Sequence, residues 1–267
     1  SVDGATPCGL LALSDPVVLT DVFETLDQTD LLTADITQRI GTDPAMVAGL
    51  LDLLTCQSST ETPDPYSAAH NAQVTALSGL TRQLDIDLLD VQLAQAGLSI
   101  VAGLLPEKWS QYYSWIRERS LLTSCCARLL ALETDLCCPD KAALSGLLIY
   151  TGQLLIAARQ PEELLMCILQ SRDEAQLHAA LTQLGGQTET ELALQRMQRW
   201  PVDEDLRLAY RYRQADASKL AGAPALARLL NAAVLMSGSD LIKEDVLNTS
   251  SYLTGICADD CRKILTQ

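Results

Sequence analysis

Gly146-Leu147-Leu148-Ile149-Tyr150-Thr151-Gly152-Gln153-Leu154-Leu155 sits within an apolar run from Ala143 to Ala158. The run is too short to cross a bilayer and is interrupted by Gln153. Its apolar residues recur on every side of a helix, so the pattern predicts one buried helix from about Lys141 to Ala158. Its two glycines stand six positions apart.

Outward from this segment the apolar residues keep a helical period. Val17, Val18, Val22, Phe23 and Leu26 mark a first helix, and Leu31, Leu32, Ile36 and Ile40 a second, ended by Gly41. Asp43-Pro44 starts a third, with Asp as N-cap and Pro at the first helical position. That helix carries Met46, Val47, Leu50, Leu51 and Leu54. The polar stretch from Gln57 to Asn71, with two prolines, is expected to be a loop. Helices over about 74–84 and 86–105 follow, and Pro106 closes that half.

The second half is expected to hold helices at about 109–132, 141–158, 161–170, 174–184, 188–199, 204–214, 223–236, 241–246 and 249–265. Cys137-Cys138-Pro139-Asp140 interrupts the series, Gly185-Gly186 is a C-cap and turn, and Trp200-Pro201 forces an extended or turn conformation. No alternating strand pattern and no fixed repeat occurs, so the fold class is all-α. A single seam near Leu105–Lys108 gives an N-terminal helical subdomain over 1–105, a second over 106–248 and a C-terminal helix over 249–267.

Composition sets the chemistry. Of 267 residues 48% are apolar, and aromatics are only 4%, so the core is built from aliphatic side chains suited to close-packed helices. The formal charge of −15 repels nucleic acid phosphates and anionic lipid heads, so neither nucleic acid nor membrane is an expected partner. Nine cysteines without framework spacing, and no signal peptide pattern, give the expectation of reduced thiols in the cytoplasm.

The segment from Gly146 to Leu155 resembles the Gly-Leu-Leu-His-Asp-Ile-Gly stretch of the HD phosphohydrolase superfamily and its HDOD relatives. Further short matches occur in order. Ala34-Asp35-Ile36 to Leu54 is similar to the early HDOD helices, and Ala76 to Leu98 to the next pair. Arg199-Trp200-Pro201 and Ala209-Tyr210-Arg211-Tyr212-Arg213 resemble the Trp-x-Leu-Pro turn and the helix ending in a His pair. Leu229-Leu230-Asn231-Ala232-Ala233-Val234 resembles the helix that gives catalytic HD enzymes their last metal-binding Asp.

The resemblance implies an HDOD-like multi-helix domain, with an N-terminal helical subdomain packed on an HD-like one. It also implies a bacterial cytosolic regulator, often joined to receiver, diguanylate cyclase or phosphodiesterase domains. This chain carries none of those, as a whole small protein or as part of a longer one.

At the positions the resemblance gives to metal ligands stand Ile149, Tyr150, Arg213, Gln214 and Val234, with Arg119 near the first His position. A metal site needs imidazoles and carboxylates converging from several helices. The chain has two histidines, His70 and His178, and neither falls at such a position. No metal, no cofactor and no catalytic residue is therefore expected. Cys257 and Cys261 share a helix face, but two thiols make no metal site and are expected to pack on the core.

Arg196, Arg199, Arg207, Arg211 and Arg213 fall within eighteen positions. One reading has Arg119, Arg211 and Arg213 joining Tyr150 in an emptied cavity to hold a nucleotide or other anionic small ligand. The other has the arginines ion-paired with neighbours such as Asp203, Glu204 and Asp205. Trp109, Tyr112 and Tyr113 share a helix face, either as interior packing or as a partner surface. The tail helix from Thr249 is a second candidate docking surface. The function these features favour is a non-catalytic signalling module acting through protein partners. An anion sensor in the former HD cavity is the alternative, and a metal-dependent phosphohydrolase the least favoured reading.

Overall fold

The structure is a computed structural model and describes residues 10–26, 33–60, 73–84, 93, 95–96, 109–172, 174–213, 215, 217–220, 222–238 and 244–265. Among these, every regular element is a helix, as the period of the apolar residues requires. In chain order they are α1 (Pro16–Leu26), α2 (Thr33–Ile40), α3 (Pro44–Thr60), α4 (Leu77–Gln83), α5 (Trp109–Thr134), α6 (Pro139–Leu147), α7 (Thr151–Ala157) and α8 (Pro161–Gln170). There follow α9 (Glu174–Gly185), α10 (Glu189–Met197), α11 (Glu204–Arg211), α12 (Ala217–Leu220), α13 (Ala225–Gly238), α14 (Glu244–Thr254) and α15 (Ala258–Ile264). Most of the expected helix over 86–105, the seam at 105–108, residues 61–71 of the expected loop with His70, and Gln214 lie outside the described residues, while residues 57–60 of that loop instead continue α3.

Two compact units divide the chain. One comprises Ser1–Arg117 and Tyr150–Pro201, the other Glu118–Ile149 and Val202–Gln267. Residues 150–201 thus return to the helices of the first unit. Two contacts within that unit account for the return. Helix α7 packs on α10 and α3, and Arg196 of α10 forms a buried bidentate pair with Asp52 of α3, at 2.6 Å for both Nε and Nη2.

In the first unit α3 is the central helix. Asp43 accepts from Met46 N at 2.9 Å as its N-cap, and Pro44 needs no donor partner there. The same carboxylate is wholly buried and also accepts from Asp15 N at 2.8 Å and from the Tyr113 hydroxyl. Burial pushes its pKa above the ordinary 3.8, against those hydrogen bonds. Met46, Val47, Leu50, Leu51 and Leu54 are buried as their spacing predicts.

The second unit packs α13 against α14, α11 and α6, around Leu144, Leu147, Leu206, Leu226, Leu229 and Leu230. Buried Asn231 of α13 donates to Tyr212 O at 2.9 Å and to Ala227 O at 2.8 Å, tying α13 to the end of α11.

Three expectations are corrected. The helix over 141–158 is two helices, α6 and α7, separated at Leu148-Ile149-Tyr150. The tail over 249–265 is broken at Gly255, whose φ of +79° suits glycine. Cys257 is thereby the N-cap residue of α15, its thiol exposed and 3.0 Å from Asp260, while Cys261 alone of the two is buried. Gly185-Gly186 closes α9 as expected, with Gly186 at φ +72°.

Candidate functional site

Ile149 and Tyr150, two of the former metal positions, lie in the break within the Gly146–Leu155 segment, and Arg213 reaches it by a hydrogen bond. A helix that stops leaves its last carbonyls without backbone donors. Leu148, at φ −85° and ψ 6°, ends α6, and Tyr150 is the N-cap residue of α7. Between them, the carbonyl of Ile149 accepts from the Tyr210 hydroxyl at 3.2 Å and from Nη1 of Arg213. Nη1 of Arg213 also donates to Tyr210 Oη at 3.0 Å, and the guanidinium lies 5.0 Å from the centre of the Tyr210 ring. Ile149, Tyr210 and Arg213 are all buried. A cation at a helix C-terminus also meets the negative end of the helix dipole. These groups form a clasp that binds α6 to α11 through a main-chain oxygen.

The two glycines of the segment explain why it packs as it does. A Cβ on Gly146 would lie 2.7 Å from the backbone of Ser124 in α5. One on Gly152 would lie 2.3 Å from the carbonyl oxygen of Glu189, at the start of α10. Each glycine thus lets a helix touch the main chain of another within its own unit.

Tyr150, in the first unit, packs against Trp115 at 5.5 Å between ring centres. It extends a row in which Tyr112 stacks on Trp115 at 6.0 Å and meets Trp109 edge-on at 5.7 Å. Tyr112 donates to Gln153 Oε1 at 2.7 Å, and burial beside Glu189 raises its phenol well above the ordinary 10.0. The partner-surface reading of Trp109 and Tyr113 is corrected, since both are 4% exposed and Tyr113 is engaged by Asp43. Trp115, 42% exposed, is the member of the row open to solvent.

The arginines have distinct duties. Arg119 donates to Ser237 O on α13, Arg207 pairs with Glu204 at 2.7 Å, and Arg211 is exposed at the end of α11. Val234 is half-buried on α13. Ion pairing thus accounts for Arg207 and, through Asp52, for Arg196. His178 of α9 lies 3.5 Å from the buried Glu189 carboxylate. A groove of about 640 Å³ lies in the first unit, lined by Asp15, Asp21, Asp35, Arg39 and Arg117 among others, and by none of the candidate metal, anion-binding or partner-surface residues.

The residues at the former metal positions do not fit a metal. Ile149 presents hydrocarbon and a carbonyl already held by Arg213, and Arg213 is itself a cation. Among the described residues no three His, Cys, Asp or Glu side chains are grouped to hold an ion.

Residues 91–215 match the sequence profile of the HDOD domain. An HDOD domain is thus matched over just under half of the chain. The match contains both the 146–155 segment and the 199–213 region on which the resemblance rested; the segments over 34–54 and 229–234 lie outside it. In structure the chain is similar to the MmoQ response regulator of Methylococcus capsulatus, with a TM-score of 0.73 at 16% identity over 95% of this chain and 97% of that one. It is also similar to a virulence factor of Campylobacter jejuni, with a TM-score of 0.63 at 13% identity over 96% and 92%. At these identities the likeness is one of fold alone. No curated protein sequence matches the chain. Among the described residues no single helix is long and apolar enough to cross a membrane.

Proposed function

We propose that this HDOD chain is a non-catalytic signal-transduction module that works in the cytoplasm through contacts with protein partners. The observation that carries the reading is the clasp. Arg213 stands where the resemblance places a metal-binding histidine, and its guanidinium is bonded to the Ile149 carbonyl. A group that holds two helices together by their backbone serves structure, and what is left for such a domain is recognition. The likeness to a protein named as a response regulator supports a signalling role. The charge of −15 argues against nucleic acid and anionic membrane as partners.

The alternative is an anionic ligand held by Arg119, Arg211 and Arg213. Both Arg119 and Arg213 donate to main-chain carbonyls, which lowers what they can offer an anion. Calorimetric titration of the full chain with inorganic phosphate and a panel of nucleotides separates the two. The protein-contact reading expects no binding up to millimolar ligand, roughly the weakest affinity of cellular relevance. Saturable binding abolished by Arg211→Ala with Arg119→Ala would establish the sensor instead.

A further inference from the structure

Helix α5 has two apolar faces. Thr123, Cys126, Ala127, Leu130 and Ala131 are buried within the second unit. On another side, Leu122 is 45% exposed, Leu132 60% exposed, Cys125 is exposed and Leu129 is half-buried. These four are spaced three, four and three residues apart, and at 100° per residue they form a stripe less than about 100° wide. An exposed leucine is ordinary by itself. Four apolar positions in a 3-4-3 order are the a and d positions of a coiled-coil seam, whose complement is another helix of the same period.

The charges beside the stripe say which helix that is. With Leu122 and Leu129 at a, and Cys125 and Leu132 at d, Arg128 falls at g and Glu133 at the following e. In a parallel pair of helices a g side chain meets the e side chain five residues on in the partner. Arg128 of one copy therefore meets Glu133 of the other, and the twofold axis makes the pair twice. Both are exposed, and Arg128 is engaged by a loose 3.6 Å pair with Asp140.

The ends of the stripe are defined as well. Glu118, at the preceding d position, would oppose its own copy, so the seam begins at Leu122. Asp135, at φ +52°, stops the helix beyond Leu132. The seam is about three turns, or roughly 16 Å, long. A contact that small falls at the weak, transient end of specific interfaces.

We propose that the Leu122–Leu132 face of α5 is a self-association surface, on which two copies of this chain pair in parallel with Cys125 facing Cys125. The proposal rests on α5 alone and stands or falls independently of the function proposed above.

Sedimentation equilibrium of the full chain from about 10 to 500 µM, where so small a contact would associate, is the test. The expected result is a mass rising with concentration from 28.9 kDa toward twice that value. Leu122→Glu with Leu132→Glu, both at exposed positions, is expected to keep the chain at 28.9 kDa with an unchanged helical circular dichroism spectrum. Arg128→Glu is expected to weaken the dimer at least about threefold, and adding Glu133→Arg to restore it. Oxidation by copper phenanthroline takes two electrons and two protons from the facing thiols and joins them, and peptide mapping is expected to find Cys125 linked to Cys125. A constant 28.9 kDa mass overturns the proposal, as does a dimer that survives the double glutamate variant. A dimer with no Cys125 cross-link overturns its parallel register.

Discussion

Gly152→Ala is expected to lower the stability of the chain by about 3 kcal/mol or more, as overpacking against a fixed backbone does. In an open helix the same change is stabilising by about 1 kcal/mol, because alanine loses less backbone freedom on folding. Here the added methyl would lie 2.3 Å from the Glu189 carbonyl oxygen, with no flexible side chain to give way. The helices α7 and α10 would have to part, and with them the packing that returns residues 150–201 to the first unit. Gly79→Ala is the control. Its Cβ meets nothing within 4 Å inside α4, so that variant is expected to gain stability, by about 0.5–1 kcal/mol. Urea unfolding of the two variants beside the parent measures both signs.

Arg196→Met is expected to cost about 3–5 kcal/mol, because it leaves a buried carboxylate without its cation. Asp52 is 2% exposed and receives both Arg196 bonds at 2.6 Å, with Trp200 Nε1 donating to the same carboxylate at 2.5 Å. Around it, Thr55 Oγ1 donates to Arg199 O at 3.1 Å and Val74 N to Pro201 O at 2.5 Å, so the Trp200-Pro201 turn is pinned to the first unit. Burial already holds the Asp52 pKa above 3.8 in spite of Arg196. Removing the guanidinium raises it further. A folded-state pKa above the unfolded one contributes stability that is full at low pH and is lost as pH rises through the folded value. The deficit of Arg196→Met relative to the parent is therefore expected to shrink as pH falls from 7 toward about 4. Adding Asp52→Leu to Arg196→Met removes the orphaned charge and is expected to recover much of the loss. Thermal unfolding across pH for the single and double variants decides the matter.

Local signals were legible wherever they act over a few residues. Asp43-Pro44 marks the start of α3 because a cap and a fixed φ are local properties, and the 3.6-residue period exposes most helices. The helix Glu189–Met197 begins with a Thr188/Glu191 capping box, a local feature of the same kind. The break at Leu148-Ile149-Tyr150 was not legible, since all three residues suit a buried helix and the donors that hold the freed carbonyl come from Tyr210 and Arg213, more than sixty residues away. Asp52 went unnoticed because nothing near it in sequence marks it as charged interior. Its partners Arg196 and Trp200 are 144 and 148 residues downstream. Trp109 and Tyr113 were ambiguous for a related reason: helical spacing places aromatics on one face without saying whether that face is covered.

The resemblance located the former metal positions, but their present use follows from the geometry of the break. Ile149 supplies a carbonyl, Tyr210 and Arg213 supply its donors, and Tyr150 turns to the aromatic row on α5. The 146–155 segment thus has its glycines and its apolar length in service of helix contacts, and its central residues in service of a clasp.

The most direct test of this account is hydrolysis of a panel of phosphomonoesters and phosphodiesters by the full chain with added Mn²⁺, Fe²⁺ or Mg²⁺, with metal content measured on the same sample. The clasp predicts no retained metal and no hydrolysis above the buffer rate. Stoichiometric bound metal with metal-dependent turnover would contradict it.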